Sequence, residues 1–163
     1  MERSVDRVKE LANSKAKENK KFFSKLKRLS SSRVDELFHS AHNDVFQEFN
    51  CLDCANCCKS ISPIVLNRDV DRIARALGLK PVEVLSKYLF EDEDGSYAFR
   101  ETPCPFLDDE NLCLIYPSRP KACREYPHTN RKRMQQIFNI TLKNIAICPI
   151  VFEVVDRIKW SVK

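Results

Sequence analysis

The sequence predicts a mostly α-helical fold with a small β element, arranged as one compact domain with cysteine-rich loops and an N-terminal helical arm. Apolar residues recur at helical spacing in several stretches, whereas short alternating stretches near Asp94-Gly95 indicate paired strands. All eight cysteines lie after residue 50, and 163 residues suit one core with an appended arm. We therefore expect a basic arm over residues 1–33 and a cysteine-cluster domain over residues 34–163.

The arm carries the positive charge of the chain. Residues 1–33 hold eleven Lys/Arg and four Asp/Glu, a net charge of +7, while the remainder has a net charge of −2. Phe22, Leu26 and Leu29 form a helical stripe, which predicts that the arm docks on the core. Its basic side chains are either a solvated helix face or a surface for an acidic partner or nucleic acid.

A second helix is expected to lead directly to the first cysteine. Ser32 followed by Asp35 fits a capping box, and Ser30-Ser31-Ser32 interrupts the chain before it. The apolar positions that then follow at helical spacing are Val34, Leu37, Phe38, Ala41, Val45 and Phe49.

Two short helices are expected in the middle of the chain. Asn67 is the predicted N-cap of the first, Gly78 the C′ residue that follows its end, and Pro81 the first residue of the second. The pair resembles a helix-turn-helix, but residues 82–85 offer little basic or amide chemistry for reading bases. DNA readout at this point is therefore not expected.

The second half combines hairpins and helices. Asp94-Gly95 separates Leu89-Phe90 from residues 97–99, and residues 108–111 separate two further short apolar stretches. A long helix is expected over residues 134–145. Pro149 then interrupts it and starts a last helix.

Several classes of protein are disfavoured by composition. No stretch approaches the roughly 18 apolar residues of a membrane span, and the charged start lacks a signal-peptide core. A cytoplasmic location is therefore expected, where disulfides are rare. Gly78 and Gly95 are the only glycines, so the chain lacks the glycines of a dinucleotide-binding turn or a P-loop.

The cysteine spacing points to metal. Cys51-x2-Cys54-x2-Cys57-Cys58 places four thiols within eight positions, a density that core packing does not produce. The first three match a bacterial ferredoxin run, whose fourth cysteine would fall at Ile61. Cys148-Pro149 could supply that missing ligand, because a thiol at a helix N-terminus is favoured as thiolate.

Three further cysteines lie between these two groups. Cys104 and Cys113 flank the turn at residues 108–111, so a hairpin would bring their sulfurs together. Cys123 lies between Arg119 and Arg124, which either offset thiolate charge or form ordinary ion pairs. The candidate metal ligands are Cys51, Cys54, Cys57, Cys58, Cys104, Cys113, Cys123 and Cys148.

The complete pattern resembles the YkgJ-type cysteine-cluster family. It consists of the first cysteine group, Cys104-Pro-Phe-Leu, Cys113-x-Ile-Tyr-x2-Arg-Pro-x2-Cys123-Arg-x-Tyr-Pro and Cys148-Pro, and it covers about residues 51–150. The resemblance implies a domain that chelates zinc or iron through eight cysteines, all of which match here. A related cysteine cluster, with an expected iron–sulfur cluster, occurs in flagellin lysine N-methylase.

Two classes of function follow. The chain is expected to be a metal-binding module with a structural, storage or sensing role, holding an iron–sulfur cluster or iron, with zinc as the alternative. The other class is an iron–sulfur enzyme or electron-transfer subunit, distantly like flagellin lysine N-methylase. The split of eight thiolates among metals is left open by the sequence.

Overall fold

The computed structural model describes residues 4–162 and confirms a mostly α fold with a small β element. Its α-helices are α1 (Val5–Ser14), α2 (Ala16–Leu26), α3 (Ser31–Phe46), α4 (Asn56–Ser60), α5 (Asn67–Leu77), α6 (Pro81–Tyr88), α7 (Lys121–Glu125), α8 (Phe138–Asn144) and α9 (Pro149–Ser161). Its strands are β1 (Ile64–Val65), β2 (Leu89–Glu91) and β3 (Tyr97–Phe99), and 3₁₀-helices cover Cys51–Asp53, Tyr116–Ser118 and Met134–Ile137.

The described chain forms two compact units. Residues 4–50 together with 127–162 form the first, and Cys51–Tyr126 form the second. Both ends of the chain therefore belong to one unit, and the second is a single continuous insertion between them. Each unit has its own buried residues.

An aromatic cluster forms part of the core of the first unit. The ring of Phe23 in α2 lies edge-on to that of Phe138 in α8, with 4.7 Å between centroids, and Phe38 of α3 packs beside both. Val8 of α1 is fully buried as well. The N-terminal helices therefore contribute to this core, which agrees with the prediction that the arm docks.

The start of α3 corrects the predicted cap. The hydroxyl of Ser30, not Ser32, accepts a hydrogen bond from the backbone N–H of Arg33 at 3.2 Å. Asp35 instead accepts the backbone N–H groups of Arg133 and Met134 at 2.7 and 2.8 Å. This carboxylate satisfies the first amides of the Met134–Ile137 3₁₀-helix, about a hundred residues away in sequence.

The C-terminal helices differ in part from the expectation. The predicted long helix is a 3₁₀-helix at Met134–Ile137 followed by α8, while Pro149 begins α9 as predicted. Within residues 4–162, no single helix is long and apolar enough to cross a membrane. The segments Met134–Asn144 and Pro149–Ser161 reach that length and composition only together, with a 120° bend.

In the second unit, α5 and α6 pack against the small sheet. The N-cap of α5 is Leu66 rather than Asn67, and Gly78 ends the helix in the left-handed conformation at φ +65°. Pro81 begins α6, as predicted. The buried carboxylate of Asp69 accepts the backbone N–H of Leu66 at 3.0 Å, which satisfies the start of α5.

The sheet has the strand order β1-β3-β2, with antiparallel pairing throughout. Leu89 pairs with Phe99 across the predicted hairpin, whereas β1 was not predicted because it is only two residues long. The second expected hairpin is reduced to a single bridge between Leu107 and Cys113. Turn formation at Asp108 brings the ends of this loop together, with its carboxylate accepting two backbone N–H groups.

Candidate metal centre

The first cysteines lie at the entry to a very short helix. Cys51 is exposed in a 3₁₀-turn, and Cys54 is half-buried. Ala55 then adopts a left-handed conformation at φ +46°, which turns the chain into α4. The backbone N–H of Asn56 donates to the sulfur of Cys54 at 3.5 Å. Such N–H donors orient and stabilise a thiolate ligand.

Cys57 and Cys58 bring their sulfurs close together. Their Sγ atoms are 4.0 Å apart, although the two residues are neighbours in the sequence. Sulfurs bound at about 2.3 Å to one tetrahedral ion lie about 3.8 Å from each other. The observed separation is therefore close to that of two ligands of one metal.

The loop that carries Cys104 and Cys113 is tied to α4. The backbone N–H of Cys104 donates to the carbonyl oxygen of Cys58 at 2.8 Å. Burial raises the pKa of Cys104 to about 11, although the backbone N–H of Phe106 donates to its sulfur and acts to lower this pKa. Burial also raises the pKa of Cys113, whose sulfur accepts the backbone N–H of Ile115.

Cys123 is contributed by α7. Burial, together with the neighbouring sulfurs of Cys58, Cys104 and Cys113, raises the pKa of its thiol to about 12. The same three sulfurs therefore repel a thiolate at this position. A bound cation removes that repulsion, because it attracts all of these thiolates at once.

Cys58 is the thiol that links these segments. The hydrogen bond from Cys57, helped by the charges of Arg119 and Lys59, outweighs burial and lowers its pKa to about 7. Its charge raises the pKa of thiols in four other segments, namely Cys51, Cys104, Cys113 and Cys123. Together with Cys57, five thiols of the second unit therefore interact with Cys58.

Arg119 supplies positive charge to this group. It lowers the thiol pKa of Cys51, Cys58, Cys113 and Cys123, whereas Arg124 is exposed. The first of the two alternatives for these arginines, an offset of thiolate charge, is therefore favoured for Arg119.

The Arg119 side chain and backbone are both fixed. Its guanidinium stacks on the ring of Tyr116 at 3.5 Å, and Nε donates to the Tyr116 carbonyl at 2.9 Å. The carbonyl of Arg119 accepts Nη2 of Arg72 at 2.6 Å, and Arg72 pairs with Asp69. The sequence does not predict that Arg72 and Asp69 hold the Arg119 backbone. The spacing of Asp69 and Arg72, three residues apart, is the one sequence feature that indicates an ion pair here.

Cys148 belongs to the other unit. It is buried, with 7% of its surface exposed, and it stands immediately before Pro149 at the N-cap position of α9. The structure therefore groups seven of the eight candidate ligands in Cys51–Tyr126 and places the eighth in the unit formed by residues 4–50 and 127–162.

The thiols have a suitable chemistry, and the sulfurs of Cys57 and Cys58 have a spacing close to that of two ligands. Across residues 4–162, no three His, Cys, Asp or Glu side chains converge as closely as one bound ion requires. The group nevertheless offers soft sulfur donors, backbone N–H groups aimed at Cys54, Cys104 and Cys113, and a compensating guanidinium. The chemistry of these residues fits a thiophilic metal.

Comparison with known families agrees with this chemistry. Residues 50–143 match the model of a family named CxxCxxCC and described as a "putative zinc- or iron-chelating domain". The match covers more than half of the chain and includes all seven cysteines of Cys51–Tyr126. No curated protein and no solved structure shows significant similarity to the chain.

Proposed function

The chain belongs to the CxxCxxCC family and is a metal-binding cysteine-cluster protein, and we propose that its metal acts as a structural cross-link within Cys51–Tyr126. The observation that carries this proposal is the position of Cys58. Its sulfur lies 4.0 Å from that of Cys57, and its carbonyl oxygen accepts the backbone N–H of Cys104 at 2.8 Å. Its charge also raises the thiol pKa of Cys51, Cys104, Cys113 and Cys123. One metal site at this point joins the Cys51 turn, α4, the loop before and after Asp108, and α7.

A cross-link is needed here because regular structure around the cysteines is sparse. The segments that carry them are a three-residue 3₁₀-helix, two five-residue helices and loops. The apolar core of this unit, with Ile73 and Phe99 among its members, packs against Cys104 and Cys113 from one side. Units of this size commonly rely on a metal or disulfides where the core is small.

The proposed ligands are drawn from the seven cysteines of this unit. Metal bound to them supplies folding free energy, since the ligands are held together only in the folded chain. Arg119 remains beside the thiolates and offsets their negative charge. The assignment of Cys148 as an eighth ligand stays a prediction from its sequence position.

An iron–sulfur cluster or iron is the metal we propose first, with zinc as the alternative. All-thiolate ligation suits both. The ferredoxin-like spacing of Cys51, Cys54 and Cys57 favours iron. The backbone N–H that donates to the Cys54 sulfur is of the kind that tunes the reduction potential of an iron–sulfur cluster. The metal serves the fold in this proposal, as a closed site that uses protein ligands only.

The experiment is anaerobic purification of the full chain, followed by elemental analysis and a visible absorption spectrum of the same sample. Iron with acid-labile sulfide and a broad visible band identifies a cluster, and stoichiometric zinc in colourless protein identifies the alternative. Freshly prepared, reduced protein that contains neither metal would refute the proposal.

A further inference from the structure

The exposed face of α2 and the turn after it is strongly cationic. Between residues 17 and 28, only Glu18 is acidic. The opposite face contains Phe23 and Leu26, which are 2% and 1% exposed. The exposed cationic residues are Lys17, Lys20, Lys21, Lys25, Lys27 and Arg28, which we call the basic face.

These charges have no evident role in holding the fold. Among residues 4–162, none of the six makes an ion pair, whereas Lys159 and Lys15 on neighbouring elements do. Lys17, Lys21 and Lys25 follow each other at four-residue spacing, where like charges repel and weaken a helix. Six exposed cations that cost stability point to an anionic ligand.

Their arrangement fits a linear polyanion. Lys17, Lys21 and Lys25 lie about 6 Å apart along the helix axis, about 12 Å in all, and Arg28 follows in the turn after α2. A single small anion engages two or three such groups at most. A charged chain engages the whole row, because α2 is held in place by its buried side.

An apolar groove adjoins this row. Its volume is about 330 Å³, at the lower end of small-molecule sites. Phe22, Leu29 and Val162 contribute apolar surface, and Lys21 and Lys25 belong both to the groove and to the basic face. The half-buried Phe22 ring has Nζ of Lys159 6.0 Å from its centroid. A planar apolar group beside the cations can therefore stack on Phe22.

We propose that the basic face and this groove bind single-stranded nucleic acid. The sugar-phosphate chain follows Lys17, Lys21, Lys25 and Arg28, and an unpaired base enters the groove against Phe22. Cationic tracks beside an aromatic platform are the usual means of binding single strands without sequence readout. A duplex keeps its bases stacked and cannot use the groove.

A membrane surface suits the same charges less well. Amphipathic helices bind bilayers by inserting their apolar face. The apolar face of α2 is already packed against Phe38 and Phe138 in the core. Charge attraction alone would remain, and it would leave the groove without a role.

The test measures binding of fluorescein-labelled oligo(dT) and oligo(U), each 12 nucleotides long, to the reduced full chain by fluorescence anisotropy. The variant K17Q/K21Q/K25Q is compared with the control R68Q/R75Q/K80Q, which removes the same charge from exposed positions of the second unit. We expect the first variant to bind at least about tenfold more weakly and to lose about 2 from its salt slope. The control should retain most of the affinity.

A second variant tests the groove separately. Phe22→Leu keeps apolar volume but removes the aromatic face, and we expect about tenfold weaker binding with an unchanged salt slope. Equal melting temperatures establish that each variant is folded. The proposal is overturned by absence of oligonucleotide binding at 50 mM salt or by equal losses in both triple variants. Preference for duplex, for phosphatidylserine vesicles or for poly-glutamate over the single strands also overturns it.

Discussion

At the scale of single residues, the central feature is a thiol that several segments share. Cys58 has a sulfur 4.0 Å from that of Cys57, a backbone carbonyl bonded to Cys104, and a pKa lowered to about 7 by the Cys57 hydrogen bond. Cys51 is exposed and lies at the edge of the same group. The two positions therefore should contribute unequally to metal binding.

We predict that Cys58→Ser loses most of the bound metal and lowers the melting temperature, because ligation and folding are linked. Cys51→Ser serves as the matched variant and should retain more metal, since its thiol interacts with fewer neighbours. Metal per chain and thermal unfolding are measured on the same anaerobic samples. Full metal occupancy in Cys58→Ser would contradict the assignment.

Arg119 provides a second prediction at this scale. Arg119→Gln should weaken metal binding by about 10- to 100-fold, as loss of an outer-shell partner commonly does, because thiolate repulsion is no longer offset. Arg124→Gln is the control, since Arg124 lies in the same segment but is exposed. Competition with a chromophoric chelator gives both affinities. Equal affinities for the two variants would show that the Arg119 charge has no such role.

Many residues of the candidate site could be identified from the sequence, but the contacts of individual side chains could not. Spacing identified the cysteine group and the place of Arg119 beside it. It did not reveal that the Asp35 carboxylate would accept the backbone N–H groups of Arg133 and Met134 instead of capping its own helix. Nor did it reveal that His39 and His42 contact the Arg131 carbonyl and the Thr129 hydroxyl. Such partners depend on distant chain segments that local patterns do not encode.

At the scale of elements, α5 connects the sheet region to the cysteine segments. The carboxylate of Asp69 is fully buried and accepts Leu66 N–H, Arg72 Nη2 and Lys121 N–H. Lys121 begins α7, which carries Cys123. One carboxylate therefore holds the starts of two helices.

We predict that Asp69→Asn destabilises the protein by about 3 kcal/mol, because it leaves Arg72 without its buried partner. Asp71→Asn, on the exposed face of α5, is the control and should change stability by less than about 0.5 kcal/mol. Urea unfolding at neutral pH measures both. A loss of the same small size in the two variants would argue against this role.

The same residue predicts a pH dependence. The hydrogen bonds from Leu66, Arg72 and Lys121 outweigh burial and lower the pKa of Asp69. Its stabilising contribution is therefore complete above the ordinary aspartate pKa of about 4 and is lost as pH falls through the lower folded-state value. The difference in unfolding free energy between wild type and Asp69→Asn should shrink over that acid range. A constant difference from neutral to strongly acid pH would contradict the assignment.

Local signals determined how well each element was predicted. Pro81, Gly78 and Pro149 marked helix ends correctly, because proline and glycine restrict or permit particular backbone angles. The Asp94-Gly95 hairpin was also correct. The β1 strand was missed, since two residues carry no alternation, and the expected hairpin around Asp108 contains only one bridge.

At the scale of the whole molecule, the chain ends and the cysteine-rich segment form different compact units. The predicted domain boundary at residue 33 rests on the distribution of charge. Buried apolar residues of one core, however, lie on both sides of that position. Val8 and Phe23 precede that position and belong to a core that also contains Phe138 and Val151. Pairing of distant helices is a tertiary property that a linear sequence pattern does not reveal.

We predict that Phe23→Ala lowers stability by about 3–5 kcal/mol, because it opens a cavity beside Phe38 and Phe138. Metal content in the folded protein should be unchanged, since no cysteine lies in the first 50 residues. Phe22→Ala, at a half-buried position, is the control with a smaller loss. Calorimetry and metal analysis of both variants check this, and loss of metal from folded Phe23→Ala would contradict it.

The structural role of the metal is tested most directly by hydrogen exchange of the full chain before and after anaerobic removal of the metal by a chelator. If the metal cross-links Cys51–Tyr126, its removal should sharply increase amide exchange in α4, in the loop from Cys104 to Cys113 and in α7. The aromatic core around Phe23, Phe38 and Phe138 should stay protected. Unchanged exchange across Cys51–Tyr126 after complete metal removal would contradict the proposed structural role.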